Sequence, residues 1–365
     1  MVKILLLGGS ADMAVPLLAK IAEDDSIKAL TIADLNEQGA KKAAAQSPKF
    51  TAAYVNAKDH HMVVELMKEH DFSICYIGPF YYFEKLMVKA ALEAGRDYIS
   101  ICDDYDAYLE ILEYEEEARE KGVKILTGFG NSPGLTQILA KKGYMSVSTP
   151  RRINVHWCAG SDEAVGQSNL AHLFHIFTGT TLQWIDGKEV RVKTGNGKKV
   201  VEFPEPIGKN PVYYTGHAES VSLPRNLPGL SEVTLHGGVK PPYIVILLKL
   251  LASFRLTANH KRRQTAAHLF HRIEGWFASS GNNKSVGRID VSGFSARGEP
   301  MQRTYSYVGH IAEITSFPCY VAAKWLGKGV WKDKPGGIYA AERIVDDPDN
   351  FLAELTALGI EIKQD

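Results

Sequence analysis

Apolar residues in the first third of the chain fall into short runs, beginning with residues 3–7 (KILLL) and 29–33 (ALTIA). A short unbroken apolar run is the pattern of a strand covered on both faces. Further strands are predicted at residues 51–56, 73–77 (SICYI), 98–101 and 124–127 (KILT). Between them the period changes. Residues 15–21 (VPLLAKI) start an amphipathic helix that tolerates Pro16 in its first turn. Residues 60–69 carry a helical stripe of Met62, Val63, Leu66 and Met67. Residues 84–93 form a helix stopped at Gly95, and 106–121 a long acidic helix ended by Gly122. Six strands alternating with helices predict an α/β fold with right-handed crossovers, a doubly wound parallel sheet of Rossmann type. Ligands of such sheets sit beyond the carboxyl ends of the strands. That nominates three loops: 8–13, 78–82 and 102–105.

The pattern changes at Gly128-Phe129-Gly130-Asn131-Ser132-Pro133-Gly134. A strand of different character follows at 152–158. Residues 184–190 read as a hairpin around Asp186-Gly187, and 192–203 as a second around Asn196-Gly197. More strands are predicted at 212–216, 231–237, 288–295 and 301–307, with helices at 169–177, 242–254, 264–279 and 311–326. Pro348 opens a terminal helix over 349–358. Residues 131–329 are therefore expected to form an α+β substrate-binding and dimerisation domain with an antiparallel sheet. Residues 1–130 form the dinucleotide domain, and 330–365 are expected to pack back on it. No internal repeat or low-complexity tract is visible.

Composition narrows the class. The 365 residues are 45% hydrophobic, enough for two cores. Lys and Arg together number 42 and so do Asp and Glu, which removes a global electrostatic case for nucleic acid. The run His260-Lys261-Arg262-Arg263 is basic but short, and reads as a solvated helix start. Four cysteines without C-x-x-C spacing fit a reducing cytoplasm, and a chain that opens on a strand predicts no signal peptide. The longest apolar run, 243–254 (YIVILLKLLASF), is too short to span a bilayer and contains Lys249. It is expected to be a core or interface helix, with peripheral membrane contact as a minor alternative. A homodimer through the second domain's sheet and this helix follows as an expectation.

The first candidate chemistry is at the first turn. Gly9-x-Ala11-x-x-Ala14 approximates the dinucleotide fingerprint, with Ala where the second Gly is expected. Gly9, Ser10, Ala11, Asp12 and Met13 would present this loop to a pyrophosphate. Asp34 ends the second strand, 25 positions after Gly9, where a carboxylate accepts hydrogen bonds from the adenosine ribose. Leu35 and Asn36 follow it rather than Arg, which favours NAD; Lys41 and Lys42 keep NADP open. The plainer alternative for Asp34 is a helix N-cap. Gly78, Pro79 and Cys102, at the ends of later strands, complete the expected cofactor contacts.

Several segments resemble the saccharopine dehydrogenase-like family. They are Gly78-Pro79-Phe80-Tyr81, Ala90-Ala91-x-Glu93-Ala94-Gly95 and Tyr98-Ile99-Ser100-Ile101-Cys102-Asp103-Asp104. Gly130-Asn131-Ser132-Pro133-Gly134-Leu135 is similar to the family's domain crossover, and Thr315-Ser316-Phe317-Pro318 to its Thr-Gly-x-Pro element. Gly336-Gly337-Ile338-Tyr339-Ala340-Ala341-Glu342 and Phe351-x-x-x-Leu355 resemble its terminal pattern. The resemblance implies an NAD(P)-linked oxidoreductase acting on amino-acid-derived amines, as saccharopine reductases, lysine epsilon-dehydrogenases and carboxynorspermidine dehydrogenases do. The short chain is most like the lysine epsilon-dehydrogenase branch, which implies lysine metabolism. Phe129 stands where some saccharopine reductases carry Cys, and Phe80, Tyr81 and Tyr82 imply a more apolar pocket.

Oxidising an amine by hydride loss needs a base for the amine proton. Asp103 is the first candidate for substrate amine contact or proton handling, and capping the next helix is its alternative. Tyr81 serves as a ring wall or as an acid, and Asp104 contacts substrate. Asn131 and Ser132 bind substrate polar groups or cap their helix. Arg225 and Arg263 are candidates for a substrate carboxylate, though surface charge is the plainer role of each. The i,i+3 pairs His172/His175 and His268/His271 read as structural, so no metal is expected. No G-x-S-x-G elbow is present, which disfavours a serine hydrolase. The competing class is a non-catalytic nucleotide-binding sensor or partner subunit that kept the fold.

Overall fold

A computed structural model describes residues 1–163, 167–254, 256–271 and 283–365. In chain order the first elements are β1 (Val2–Leu7), α1 (Val15–Glu23), β2 (Ile27–Asp34), α2 (Glu37–Ala44), β3 (Phe50–Tyr54) and α3 (His60–Lys68). Next come β4 (Phe72–Cys75), α4 (Phe80–Ala94), β5 (Asp97–Ser100), α5 (Tyr105–Ile111), α6 (Glu115–Lys121), β6 (Lys124–Leu126) and α7 (Leu135–Ser146). The middle holds β7 (Thr149–Gly160), α8 (Gln167–Ile176), β8 (Thr180–Ile185), β9 (Lys188–Lys193), β10 (Lys199–Glu202), β11 (Lys209–Tyr214) and α9 (Glu219–Asn226). Then follow β12 (Glu232–Lys240), α10 (Tyr243–Ser253), α11 (His260–His271), β13 (Ser285–Phe294) and β14 (Pro300–Gly309). The chain closes with α12 (Ile311–Gly327), β15 (Gly337–Tyr339), α13 (Ala341–Ile344), α14 (Pro348–Ala357) and β16 (Glu361–Gln364).

Two compact units result: Met1–Leu135 with Ala312–Asp347, and Thr136–Ile311 with Pro348–Asp365. The first unit is the expected parallel sheet, ordered β15-β6-β5-β4-β1-β2-β3, with every neighbouring pair parallel. The order reverses at β1, the switch point where such sheets bind ligands. Leu5, Leu7, Val63, Met67, Met87, Val88 and Ile125 share one buried cluster, which explains the unbroken apolar runs. A seventh strand, β15, comes from near the C-terminus. Glu115 fastens it: its carboxylate accepts from Ile338 N at 2.8 Å and from Arg343 Nη2 at 2.8 Å. The predicted helix 106–121 is two helices, α5 and α6, joined by a 3-10 turn at Leu112–Tyr114.

The second unit is built on a nine-stranded sheet whose main path is β10-β11-β12-β7-β13-β14-β16, with β8 and β9 branching from β12. The sheet is mixed rather than antiparallel throughout. β12 runs parallel to β7 because the chain between them crosses over instead of turning back. Asp186 and Gly187 have φ of 52° and 72°, the two left-handed residues of a type I′ hairpin between β8 and β9. Asn196-Gly197 does not make a second such hairpin. β10 pairs with β11, and the turn backbone instead bonds Tyr214, whose N donates to Asn196 O at 2.9 Å. The predicted helix 264–279 is α11 up to His271; residues 272–279 lie outside the described residues. Residues 348–365 join this second sheet through β16, whereas 312–347 belong with the first. The interior holds four free, buried cysteines.

Candidate functional site

The first unit assembles the cofactor candidates at the carboxyl ends of β1, β2, β4 and β5. Gly8 and Gly9 serve the protein's own packing. Gly8 has φ of 77°, and a Cβ on it would meet Ile77 N at 2.9 Å. A Cβ on Gly9 would meet Leu6 at 2.7 Å and Ile32 at 2.9 Å. The glycines thus let the chain turn tightly over the sheet. The loop that follows, Ser10 to Met13, is exposed or half-buried. Its far end is pinned from α12: Ser316 Oγ donates to Met13 O at 2.6 Å and lies 2.9 Å from Tyr76 OH.

Asp34 is partly buried beside this loop. Its Oδ2 accepts from Ser10 Oγ at 2.7 Å and Ser10 N at 3.1 Å, and its Oδ1 from Asn36 N at 2.9 Å. It is not the cap of α2. Asn36 takes that part, accepting from Gly39 N at 3.0 Å. The carboxylate is therefore held in one orientation at the end of β2. Leu35, next to it, is 65% exposed.

Residues 78–82 differ from the expected loop. Gly78-Pro79 is a cis peptide, Pro79 is the N-cap of α4, and Phe80, Tyr81 and Tyr82 form its first turn. The fixed φ of proline suits that position. Gly78 is the opposite of Gly9: a Cβ built on it meets nothing within 4 Å, and its φ is not left-handed. Neither crowding nor backbone conformation requires glycine there, which leaves room for a ligand to approach the backbone.

Asp104 is fully buried, and its Oδ2 accepts from Tyr81 N at 2.8 Å. It ties the end of β5 to the first turn of α4, so its carboxylate acts on Tyr81's backbone. Asp103 is half-buried one position earlier. Cys102 is buried, and burial pushes its thiol well above the ordinary value, with Glu84, Asp104 and Asp103 adding to the effect. It is an inert lining rather than a nucleophile. Asn131 and Ser132 lie in the same unit, before the cis Ser132-Pro133 bond, with Ser132 buried.

Sequence reasoning missed Glu84. It lies on the buried stripe of α4 with Phe80, Met87, Val88 and Ala91 and has no exposed surface. Ser100 Oγ donates to Oε1 at 2.5 Å, Thr127 Oγ1 to Oε1 at 3.0 Å and Tyr98 OH to Oε2 at 2.8 Å. Burial raises its pKa to about 7 even though the three hydroxyls favour the ionised form. One carboxyl thus joins α4, β5 and β6 behind the loops described above. The signal was available: a glutamate at helical spacing within an apolar stripe.

Arg225 belongs to the second unit. Its guanidinium donates to Val221 O and, at 2.6 Å, to Glu189 Oε1, so α9 is tied to β9. His172 Nε2 lies 3.2 Å from His217 Nε2, and Trp157 stacks on His217. Across β12 and β7, His236 and His156 are register partners with ring centroids 5.4 Å apart. Burial lowers the pKa of both, His236 to about 2, and both are neutral at pH 7.

Comparison with known proteins agrees with the fold. Residues 4–126 match the family model described as "Saccharopine dehydrogenase NADP binding domain". The whole chain is similar in fold to apo saccharopine dehydrogenase (L-Glu forming) from Saccharomyces cerevisiae. The TM-score is 0.74 at 17% identity, covering 100% of this chain and 99% of that one. It is similar also to a meso-dapdh mutant with DAP from Clostridium tetani E88. There the TM-score is 0.52 at 13% identity, covering 96% of each chain. Residues 4–126 are thus similar to a saccharopine dehydrogenase NADP binding domain, and the chain as a whole shares the fold of the yeast enzyme.

Proposed function

We propose that the protein is an NAD(P)-dependent oxidoreductase transferring hydride at a C–N bond of an amino-acid-derived substrate, with NAD preferred. The observation that carries the reading is the oriented Asp34 carboxylate between Ser10 and the exposed Leu35. A carboxylate at that strand end accepts from ribose hydroxyls and repels a 2′-phosphate. Ser10 N and Oγ occupy Oδ2 alone, so Oδ1 keeps acceptor capacity beyond its one bond to Asn36 N. Leu35 offers an apolar wall for adenine, and the space over Gly78 admits the cofactor close to the backbone. The C–N chemistry is supported by the family model and by the saccharopine dehydrogenase likeness.

When bound, the nicotinamide supplies the hydride acceptor or donor. The protein's part is to orient the reacting C–H and handle a proton. Asp103 is the proposed proton-handling group, and Tyr81 a ring wall beside it. Asn131 and Ser132 are proposed contacts for substrate polar groups. Asp104 is proposed to act by positioning Tyr81. Arg225 remains a proposed carboxylate contact, competing with its bond to Glu189. The second unit is proposed to bind substrate and to pair into a homodimer through its sheet, in a reducing cytoplasm that suits four free thiols. A monomer by light scattering would remove the dimer.

Calorimetry with NAD and NADP, followed by absorbance at the reduced-nicotinamide band across lysine, saccharopine and carboxylated polyamines, tests the reading. Hydride transfer on one member of the panel is expected. Coenzyme binding with no turnover on any of them would assign the protein to the sensor class instead. Asp34→Ser is expected to weaken NAD by about tenfold or more, the worth of a hydrogen bond to a charged group, and NADP less. An unchanged ratio of the two affinities would place Asp34 away from the ribose.

A further inference from the structure

The second unit carries an apolar face that its own core does not use. On α10, Val245 and Leu248 are buried, while Tyr243, Ile246 and Leu250 are 51%, 55% and 51% exposed, and Phe254, at its C-cap, is 74% exposed. These four positions recur at three- and four-residue steps, so they form one stripe along one side of the helix. Leu256 just beyond it and Leu269 on α11 are exposed as well.

The charge of the same tract is one-sided. Between residues 243 and 271 the described residues include Lys249, Lys261, Arg262 and Arg263, and not one Asp or Glu. The chain as a whole is neutral, so this tract is a local excess of positive charge. Lys261 and Arg262 open α11 and are exposed. Lys249, on the same helix, is half-buried, with its ammonium 4.8 Å from the Tyr213 ring centroid.

We propose that the exposed face of α10, with the basic, acid-free tract that follows it, docks on an anionic lipid surface. The apolar stripe would enter the boundary between headgroups and acyl chains, and the cations would meet the lipid phosphates. Each half of the arrangement needs the other. Nucleic acid would satisfy the cations and leave Ile246, Leu250 and Phe254 in water. A second copy related by a two-fold axis would cover the stripe but set the basic tract against itself with no acid within it to pair. The expectation that this helix forms the dimer contact therefore gives way, and the sheet remains the proposed contact. Among the described residues no helix is long and apolar enough to cross a membrane, so the mode is to lie on it.

Flotation of the full-length protein with vesicles of phosphatidylcholine alone, and of phosphatidylcholine mixed with phosphatidylglycerol, tests this. Binding to the mixed vesicles is expected to exceed binding to the neutral ones by about tenfold and to weaken as salt is raised. Leu250→Ser with Phe254→Ser should lose about tenfold in binding through the apolar half. Lys261→Glu with Arg262→Glu should lose a similar factor through the charged half. Thermal melts and NAD titration of both variants check folding, and if the first variant misfolds the second decides. No flotation, or equal flotation with both vesicle types, would overturn the proposal. So would a dimer in light scattering that the Leu250→Ser and Phe254→Ser variant splits, which would give the face to a second copy. None of these readouts depends on the identity of the enzyme's substrate.

Discussion

Gly78 in the first unit and Gly237 and Gly287 in the second use the absence of a side chain for opposite ends. In the first, Gly78 borders open space, and the room it leaves belongs to no side chain of the described protein. In the second, Gly237 and Gly287 sit under aromatic rings of their register partners. A Cβ on Gly237 would meet Trp157 at 2.2 Å, and one on Gly287 would meet Tyr307 at 2.2 Å. The rings cover the gaps that glycine leaves in a strand. The same residue type thus borders open space at Gly78 and lies under an aromatic ring at Gly237 and Gly287. The neighbouring atoms, and not the glycine, decide which.

Their buried ionisable groups diverge in the same way. Glu84 is an acid kept partly protonated by burial among three hydroxyls, and His236 is a base kept neutral by burial in the sheet. Each makes stability depend on pH, with opposite sign. Four experiments press on this contrast.

The largest effect is expected from Glu84→Ala. It strands the hydroxyls of Tyr98, Ser100 and Thr127 in the interior and leaves a cavity, at a cost of about 3–5 kcal/mol in urea unfolding. Glu84→Gln keeps acceptor and volume and should cost far less. A mild Ala variant would show that the carboxyl is not what joins α4 to β5 and β6.

The pH profiles come next. Glu84 has a folded pKa of about 7 against an ordinary 4.5, so between these values the folded state holds more protons than the unfolded. Its contribution is full below pH 4.5 and is lost as pH rises to 7, a span of about 3 kcal/mol at most. His236 has a folded pKa of about 2 against 6.5, so there the unfolded state holds more protons. Its contribution is full above pH 6.5 and falls with acid, by about 2 kcal/mol at pH 5. Hydrogen exchange followed separately in β5 and β12 between pH 5 and pH 7 should show slopes of opposite sign. Glu84→Gln should flatten the first slope and leave the second.

Gly237→Ala should cost about 1–3 kcal/mol by overpacking against Trp157. Gly78→Ala should change stability by about 0.5 kcal/mol or less, and weaken coenzyme binding about tenfold, by filling the space over the backbone. Equal effects of the two substitutions on stability would erase the contrast drawn above.

The sequence made the first unit far more legible than the second. A parallel strand buried on both faces needs an unbroken apolar run, so β1, β2 and β4 announce themselves. The helix α4 was read too short because Gly78-Pro79 looks like loop, when proline in fact caps the helix start. In the second unit the Asp186-Gly187 hairpin was legible, since that pair has few other uses. Asn196-Gly197 carried the same local signal and was overridden by pairing with Tyr214, which no local pattern encodes. The parallel run of β7 beside β12 is a property of a long crossover and leaves no mark on either strand. At the site, Asp34 stood out by spacing from Gly9. Glu84 could have been found by its place in an apolar stripe, whereas Asp104's bond to Tyr81 N required the folded loops.

Both sheets are completed from the end of the chain. β15 supplies the edge beyond β6, and β16 the edge beyond β14. A nascent polypeptide leaving the ribosome thus exposes the flank of β6 until more than two hundred further residues have been made. A premature stop shortly before residue 337 would deprive both assemblies of a border strand at once, and leave two open flanks for self-association.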